Sequence, residues 1–152
     1  MTPEDRLAEL GLILPEPPAS LAAYVPAVRF ESVLYVSGQL PLVDGALLCT
    51  GRLGEDVSDD QGRKAAQRCA LNALSVVRAQ LGELSRVRQV AKVTVFVAAT
   101  PGFTGHPAVA NGASELLGAL FGEAGRHARS AVGVAGLPLG APVELDMVVG
   151  IA

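Results

Sequence analysis

Residues 90–97 constrain the fold of this chain more than any other segment. Valines at positions 93, 95 and 97 alternate there with Lys92, Thr94 and Phe96. A period of two residues is typical of a β-strand with one apolar face, and β-branched side chains favour the extended conformation. Such a strand cannot cover its own apolar face, so the rest of the chain must supply elements that pack against it.

Two long segments and one short segment have helical periodicity. The longest begins near Ser58, where acidic residues suit the positive end of a helix, and it ends at Gly82. A second helix is predicted over residues 107–121, and a short amphipathic helix over residues 2–12 with Thr2 as its N-cap. The apolar residues of the longest helix recur on one side: Ala66, Cys69, Ala70, Ala73, Val76 and Val77.

The remaining ordered segments are predicted to be strands, from residue 24 onward and at residues 33–37, 47–48, 130–134 and 143–149. With the helices they give the order β-β-(β)-α-β-α-β-β after the short first helix. The predicted fold class is α+β, a two-layer sandwich with two helices on one face of a mixed sheet. We assign Val143, Leu145 and Met147 to the other face, which needs a cover, so we expect an oligomer.

The chain has 152 residues, half of them hydrophobic, which suits a single domain over residues 1–152. Its net charge of −3, with 12 Lys+Arg scattered among 15 Asp+Glu, argues against nucleic-acid binding. No apolar run has the length of a membrane span, and the acidic N-terminal segment is unlike a signal peptide. We therefore expect a cytoplasmic protein without a membrane partner, in which Cys69 is a buried, inert thiol.

Several motifs of cofactor enzymes and hydrolases are absent from the sequence. It contains no P-loop, no G-x-G-x-x-G after a strand, no H-E-x-x-H and no G-x-S-x-G. His106 and His127 are its two histidines, and neither has a cysteine nearby, which is unlike a metal site. We therefore predict that the protein uses no cofactor and no metal.

Arg129 is the most prominent candidate for a functional residue. It lies at the start of a predicted strand among small and apolar residues, where a guanidinium group needs a partner. Its planar fork suits a carboxylate, held by two parallel hydrogen bonds. Two alternatives remain open from the residues alone: an ion pair with an internal glutamate, and a side chain that extends to solvent.

Four other residues are weaker candidates. Glu144 and Asp146 lie on one face of the last strand, and Glu144 could act as an acid or base if burial raises its pKa, or could pair with Arg129. Asp146 is expected to be structural. Tyr24 could hydrogen-bond a ligand or anchor its own loop, and His127 could line a pocket with Arg129 or lie on the surface.

Five short motifs occur in a specific order along the chain: Tyr24-Val25, Ser37-Gly38-Gln39-Leu40-Pro41, Thr94-Val95-Phe96-Val97, Ala128-Arg129-Ser130-Ala131-Val132 and Leu137-Pro138. Together they resemble the YjgF/Rid family of reactive-intermediate deaminases, once labelled L-PSP endoribonucleases. The similarity covers residues 22–152, so residues 1–20 are expected to be an N-terminal extension of a divergent branch.

The resemblance implies a chorismate-mutase-like fold and a homotrimer whose sheets form a central barrel, with active sites between subunits. It places the carboxylate-binding arginine on Arg129, the acidic residue on Glu144 and a tyrosine on Tyr24. The expected substrate-binding positions are Ser37, Gly38, Asn111, His127 and Ala131, and Ala131 stands where many deaminating members have Cys.

The implied function is hydrolysis of reactive 2-imino acids, or enamine tautomers such as 2-aminoacrylate, to 2-keto acids and ammonia. Arg129 would hold the carboxylate and Glu144 would activate water. A non-catalytic trimer that binds small carboxylates is the alternative. A ribonuclease, which the old family label suggests, is a third possibility, against which the acidic charge balance argues.

Overall fold

The computed structural model describes residues 1–19 and 23–152. Within them are three α-helices and seven β-strands: α1 (Pro3–Glu9), β1 (Ala27–Phe30), β2 (Val33–Gln39), β3 (Leu42–Val43), β4 (Ala46–Leu47), α2 (Asp59–Leu81), β5 (Val87–Ala98), α3 (His106–Phe121), β6 (Ala128–Val134) and β7 (Val143–Ile151). Short 3-10 helices follow α2, α3 and β6. None of the described helices has the length and apolar composition needed to cross a membrane.

Five strands form one sheet in the order β1-β2-β7-β5-β6. β5 and β6 are parallel, with α3 as their crossover, and the other neighbours are antiparallel. β3 and β4 form a separate short hairpin. α2 and α3 pack against each other and against the sheet. The predicted α+β class with a mixed sheet is confirmed, and β6, which carries Arg129, is an edge strand.

Side-chain caps determine where the helices begin. Ser58 Oγ accepts a hydrogen bond from Gln61 N at 3.1 Å, and Gln61 Oε1 accepts one from Ser58 N at 2.8 Å. This reciprocal pair is a complete capping box for α2. Thr2 and Asp5 form the same arrangement at α1. The predicted N-cap Thr2 and the predicted start of α2 near Ser58 are therefore confirmed.

The sequence prediction for the open face of the sheet was wrong for β7. Val143, Leu145 and Met147 are buried in the core beneath the helices. Leu145 pairs with Val95, which lies in the same core, and paired residues share a face of the sheet. The open face of β7 carries the residues that alternate with them: Glu144, Asp146 and Val148.

The open face nevertheless has an exposed apolar surface, formed by other residues. Val28, Phe30 and Tyr35, on β1 and β2, are 52%, 66% and 49% exposed. Val28 pairs with Tyr35, and Tyr35 pairs with Val148, so these side chains point away from the helices. Apolar surface of this kind often marks an interaction site.

Cys69 lies in the core between α2 and β7. Its side chain is fully buried, and Sγ is 3.6 Å from the carbonyl oxygen of Val143. Burial raises the pKa of the thiol well above its ordinary value, and the charge of Glu144 adds to this. A thiol that stays protonated is a poor nucleophile, which agrees with the predicted inert core residue.

α1 is fastened to the C-terminal end of α3. Arg6 Nη1 donates to the carbonyl oxygens of Ala119 and Leu120, at 3.4 and 3.2 Å. Carbonyl groups in the last turn of a helix have no hydrogen-bond donor within the helix, and Arg6 provides a donor for two of them. Glu4 Oε1 also accepts a hydrogen bond from Leu84 N at 2.7 Å. The predicted boundary between the extension and the rest of the domain, at residues 20–22, lies outside the described residues.

Candidate functional site

Arg129 lies on the edge strand β6 and points to the helix side of the sheet. It pairs with Val93, which is fully buried in the core beneath the helices. The half-buried guanidinium group lies beside α3, where Nη1 donates to Asn111 Oδ1 at 2.7 Å and to Ser114 Oγ at 3.1 Å. Because Asn111 and Ser114 are three residues apart, they lie on the same side of α3.

Both partners of Arg129 are neutral. Nη1 carries two hydrogens, and Asn111 and Ser114 accept one each. Among the described residues, no carboxylate lies within ion-pair distance of the guanidinium, so the internal ion pair considered from the sequence is wrong. The Nε and Nη2 groups, which form the other edge of the guanidinium group, donate to no acceptor among the described residues. A charged fork with an unused edge can bind a carboxylate by two parallel hydrogen bonds.

Ser114 and His127 extend this contact toward the loop before β6. Ser114 Oγ and His127 Nε2 are 2.8 Å apart, and His127 Nδ1 is 2.7 Å from the carbonyl oxygen of Gly125. An open concavity of about 290 Å³ lies here, lined by Ser114, Gly118, Gly125, Arg126, His127 and Arg129. We call Arg129, Asn111, Ser114 and His127 the arginine half-site.

The structure thus places two predicted site residues, Asn111 and His127, beside Arg129. Ser114 was not among the site residues predicted from the sequence. One signal could have found it, namely its spacing of three residues from Asn111 on a predicted helix, which places both side chains on one helix face.

Glu144 lies on the opposite face of the sheet. It pairs with Phe96, which alternates with the buried valines of β5, so its side chain points away from the helices. Its carboxylate packs against Gly38, at an irregularity in the pairing of β2 with β7. A Cβ atom at residue 38 would overlap Glu144 Oε1. Glycine at this position therefore leaves the space that the carboxylate occupies.

Burial raises the pKa of the Glu144 carboxyl group, and the negative charge of Asp146 raises it further. Burial also raises the pKa of Asp146, but a hydrogen bond with Thr94 and the positive charge of Lys92 oppose that rise. No comparable hydrogen bond or positive charge lowers the pKa of Glu144. Its carboxylate therefore accepts a proton more readily than a glutamate in water, which suits a general base.

Tyr24 and Gly38 line another concavity, of about 210 Å³. Tyr24 is 62% exposed. Ser37 serves the fold of this region, because its Oγ donates to the carbonyl oxygen of Val25 at 2.7 Å and so holds the loop that carries Tyr24. We call Glu144, Gly38 and Tyr24 the glutamate half-site.

The two half-sites of one chain do not face each other. Arg129 and Ala131 point to the helix side of β6, whereas Glu144 points to the open side of β7. β5 lies between these two strands. The structure therefore keeps the arginine and the glutamate of one chain apart.

Comparison with known proteins agrees with this fold. The sequence model of a family described as "YjgF/chorismate mutase-like, putative endoribonuclease" matches residues 4–148. The chain belongs to the YjgF/Rid family. Protein TCP17 of Trypanosoma cruzi is 49% identical over 144 residues, which cover 94% of this chain and 90% of that protein.

Two solved structures match almost the whole chain. Protein Atu1372 of Agrobacterium tumefaciens, of unknown function, is 47% identical with a TM-score of 0.94, covering 99% of this chain and 92% of that one. A "putative endoribonuclease" of Shewanella oneidensis MR-1 is 36% identical with a TM-score of 0.96, covering 99% and 100%. The segment that contains α1 is therefore part of the structure shared with these two proteins.

TdcF of E. coli, whose structure contains bound serine, shares the fold at lower similarity. It is 19% identical with a TM-score of 0.67, and the match covers 90% of this chain and 94% of TdcF. The YjgF/Rid fold is thus common to all three structures.

Proposed function

We propose that the protein hydrolyses 2-imino acids, or enamine tautomers such as 2-aminoacrylate, to 2-keto acids and ammonia. The observation that carries this proposal is the state of Arg129. Its half-buried guanidinium group is fixed by two neutral acceptors, and its Nε–Nη2 edge is unused among the described residues. Every 2-imino acid carries a carboxylate beside its C=N carbon, and this edge suits that carboxylate.

The proposed active site is formed by two subunits of a homotrimer. Arg129 and Glu144 project from opposite faces of the sheet, so one chain cannot apply both to the same small molecule. In this proposal, the arginine half-site of one subunit faces the glutamate half-site of its neighbour. The exposed apolar surface on β1 and β2 supports assembly, because a subunit contact there would remove Phe30 and Tyr35 from water.

Arg129 holds the substrate carboxylate and thereby fixes the position of C2. Glu144 accepts a proton from water while the water oxygen attacks C2, and then gives that proton to the imine nitrogen. Glu144 then transfers the hydroxyl proton of the resulting carbinolamine to the nitrogen, the C–N bond breaks, and ammonia leaves as C=O forms. In this proposal, backbone groups near Gly38 and Ala131 orient the imine and stabilise the tetrahedral intermediate. One imino acid and one water give one keto acid and one ammonia.

Non-catalytic binding of small carboxylates is the second candidate function. The arginine half-site is complete without Glu144, so it could hold a keto acid or an amino acid even if no water were activated. TdcF, a YjgF/Rid-fold protein with bound serine, is an example of an amino acid held on this fold. Glu144→Gln separates the two functions, because it should abolish hydrolysis while the carboxylate still binds at Arg129.

Endoribonuclease activity, which the family description includes, has less support. The chain has a net charge of −3, and its 12 Lys+Arg are outnumbered by 15 Asp+Glu. RNA binding depends mainly on basic surfaces and on aromatic side chains that stack with bases. RNA cleavage that survives rigorous purification and disappears in Arg129→Ala would revive this function.

The test is an assay of ammonia and 2-keto acid release from several freshly generated imino acids. We expect the wild type to release both products faster than buffer, and Arg129→Ala to lose on the order of a hundredfold in kcat/KM. Arg52→Ala is the matched control, because Arg52 pairs with Glu55 in the turn before α2. Equal rates for Arg129→Ala and the wild type would refute the proposal.

A further inference from the structure

A chain of hydrogen bonds runs from Arg129 through Ser114 to His127 and ends at the carbonyl group of Gly125. We propose that Ser114 and His127 are positioning residues that set the orientation of the Arg129 guanidinium group, so that its Nε–Nη2 edge receives the substrate carboxylate. This inference rests on the proposed function, since it concerns the same arginine.

The Gly125 carbonyl group and the Arg129 guanidinium group, at the two ends of this series of hydrogen bonds, determine the direction of each bond in it. The carbonyl oxygen of Gly125 can only accept, so His127 Nδ1, 2.7 Å away, carries a hydrogen and donates it. In the neutral imidazole, Nε2 is then an acceptor, and the Ser114 hydroxyl donates to it over 2.8 Å. Arg129 can only donate, and the oxygen of Ser114 accepts its Nη1 hydrogen at 3.1 Å. Each group is thus used once, without conflict.

This direction determines which part of Arg129 is left for a ligand. Asn111 and Ser114 use the two hydrogens of Nη1 and hold that nitrogen against α3. The remaining edge, Nε and Nη2, has two parallel N–H groups with the spacing of the two oxygens of one carboxylate. A neutral amide has a single carbonyl oxygen and no negative charge, so it matches this edge poorly.

Ser114 and His127 act on the substrate only through Arg129. Ser114 contacts the Nη1 end of the guanidinium group and His127 contacts Ser114, whereas the carboxylate is expected at the opposite edge. Neither side chain is therefore placed to touch the reacting C2 carbon. Their loss should weaken binding and leave the chemical step intact, which distinguishes positioning from proton transfer.

The first measurement is the tautomer of His127 in the wild-type protein, by ¹⁵N NMR of the imidazole nitrogens. The chain has two histidines, so the spectrum of His106→Ala assigns the signals. We expect the neutral imidazole to carry its hydrogen on Nδ1 and none on Nε2. A hydrogen on Nε2 alone would overturn the proposal, because the hydrogen-bond chain would then run in the wrong direction.

The second measurement is the affinity for pyruvate, with pyruvamide as the ligand that lacks a carboxylate. Ser114→Ala and His127→Ala should each raise Kd for pyruvate, and KM for the imino acid, about tenfold, which equals about 1.4 kcal/mol. Their kcat should stay within about twofold of the wild type. Ser130→Ala is the matched control, because Ser130 neighbours Arg129 but accepts from Lys92 Nζ on the other face of the sheet.

His127→Gln decides between positioning and proton transfer. A glutamine side chain can still accept the Ser114 hydrogen bond but cannot take up a proton, so positioning predicts that it restores Kd and KM. A fall in kcat well beyond twofold in both His127→Ala and His127→Gln would overturn positioning in favour of a proton-transfer pair. If Ser114→Ala and His127→Ala leave Kd and KM unchanged, the inference is overturned. The proposed function would still stand in that case, provided that the wild type releases ammonia. If the wild type binds pyruvate but releases no ammonia, and the variants bind it more weakly, only the proposed function fails.

Discussion

Arg129 and Glu144 project from opposite faces of one sheet, on strands separated by β5. Each chain therefore carries one arginine half-site and one glutamate half-site, and the two cannot meet within that chain. If the active site is shared between subunits, each half can be inactivated in a different chain, and mixing such chains recreates intact sites.

Mixed oligomers of two inactive variants should recover activity. Arg129→Ala subunits keep an intact Glu144, and Glu144→Gln subunits keep an intact Arg129. After unfolding and refolding as an equal mixture, random assembly in a ring should give about a quarter of wild-type activity, because each site needs one intact half from each of two neighbours. Ammonia release from 2-aminoacrylate measures the recovery.

The control is each variant refolded alone, which should remain inactive. A mixture that stays as inactive as its components, although size analysis shows mixed oligomers, would mean that both residues of one site come from a single chain. That result would contradict the shared site while leaving the individual roles of the two residues open to test.

A side chain at Gly38 should disable the glutamate half-site. The Cβ of Gly38→Ala would overlap the Glu144 carboxylate and force it to move. We expect kcat to fall at least tenfold while pyruvate affinity, which depends on Arg129, changes little. Gly136→Ala is the matched control, because a Cβ there meets no atom within 4 Å. A Gly38→Ala protein with wild-type kcat would show that the position of Glu144 does not matter.

The dependence of activity on pH should report the ionisation of Glu144. The carboxylate is the active form of a base, so kcat/KM should rise as the pH rises through the raised pKa of Glu144. Asp146→Asn removes a negative charge that helps to raise this pKa, so the rise should move to lower pH. Asp60→Asn, at the exposed start of α2, is the control and should not change the pH at which kcat/KM rises. A shift to higher pH in Asp146→Asn would contradict this electrostatic account.

Glu144 should also reduce the stability of the fold near neutral pH. Burial, with the charge of Asp146, raises its pKa in the folded state above the value in the unfolded chain. The folded protein therefore holds the proton more tightly, and this stabilisation is present at low pH and is lost as the pH rises through the folded pKa. Glu144→Gln keeps the shape without the charge, so its Tm should exceed that of the wild type at pH 7 and the difference should shrink in acid. If the Tm of Glu144→Gln at pH 7 is lower than that of the wild type, the charge of Glu144 stabilises the fold, contrary to this prediction.

Local patterns of the sequence predicted much of this fold. The alternation in residues 90–97 and the caps Thr2 and Ser58 depend on neighbouring residues, so the sequence reveals them directly. Val143, Leu145 and Met147 were assigned to the wrong face of β7, because the sequence does not show which side of the strand the helices cover. The helices cover the more apolar side of β7, so these three residues lie in the core of the chain. The separation of Arg129 from Glu144 follows from the strand order β7-β5-β6, which long-range pairing decides.

The N-terminal helix should stabilise the chain without tuning the carboxylate site. Arg6 supplies hydrogen bonds to the last carbonyl groups of α3, whereas Asn111 and Ser114 lie in its middle turns. Arg6→Ala should therefore lower the free energy of unfolding by about 1 kcal/mol, because charged hydrogen bonds to those carbonyls are lost. Thermal unfolding measures this change, and Arg29→Ala, whose bond to the Glu31 carbonyl is local, provides the control. Because the middle of α3 stays packed on α2 and the sheet, KM for the imino acid should not change. A raised KM in Arg6→Ala would show instead that the extension acts on Arg129 through α3.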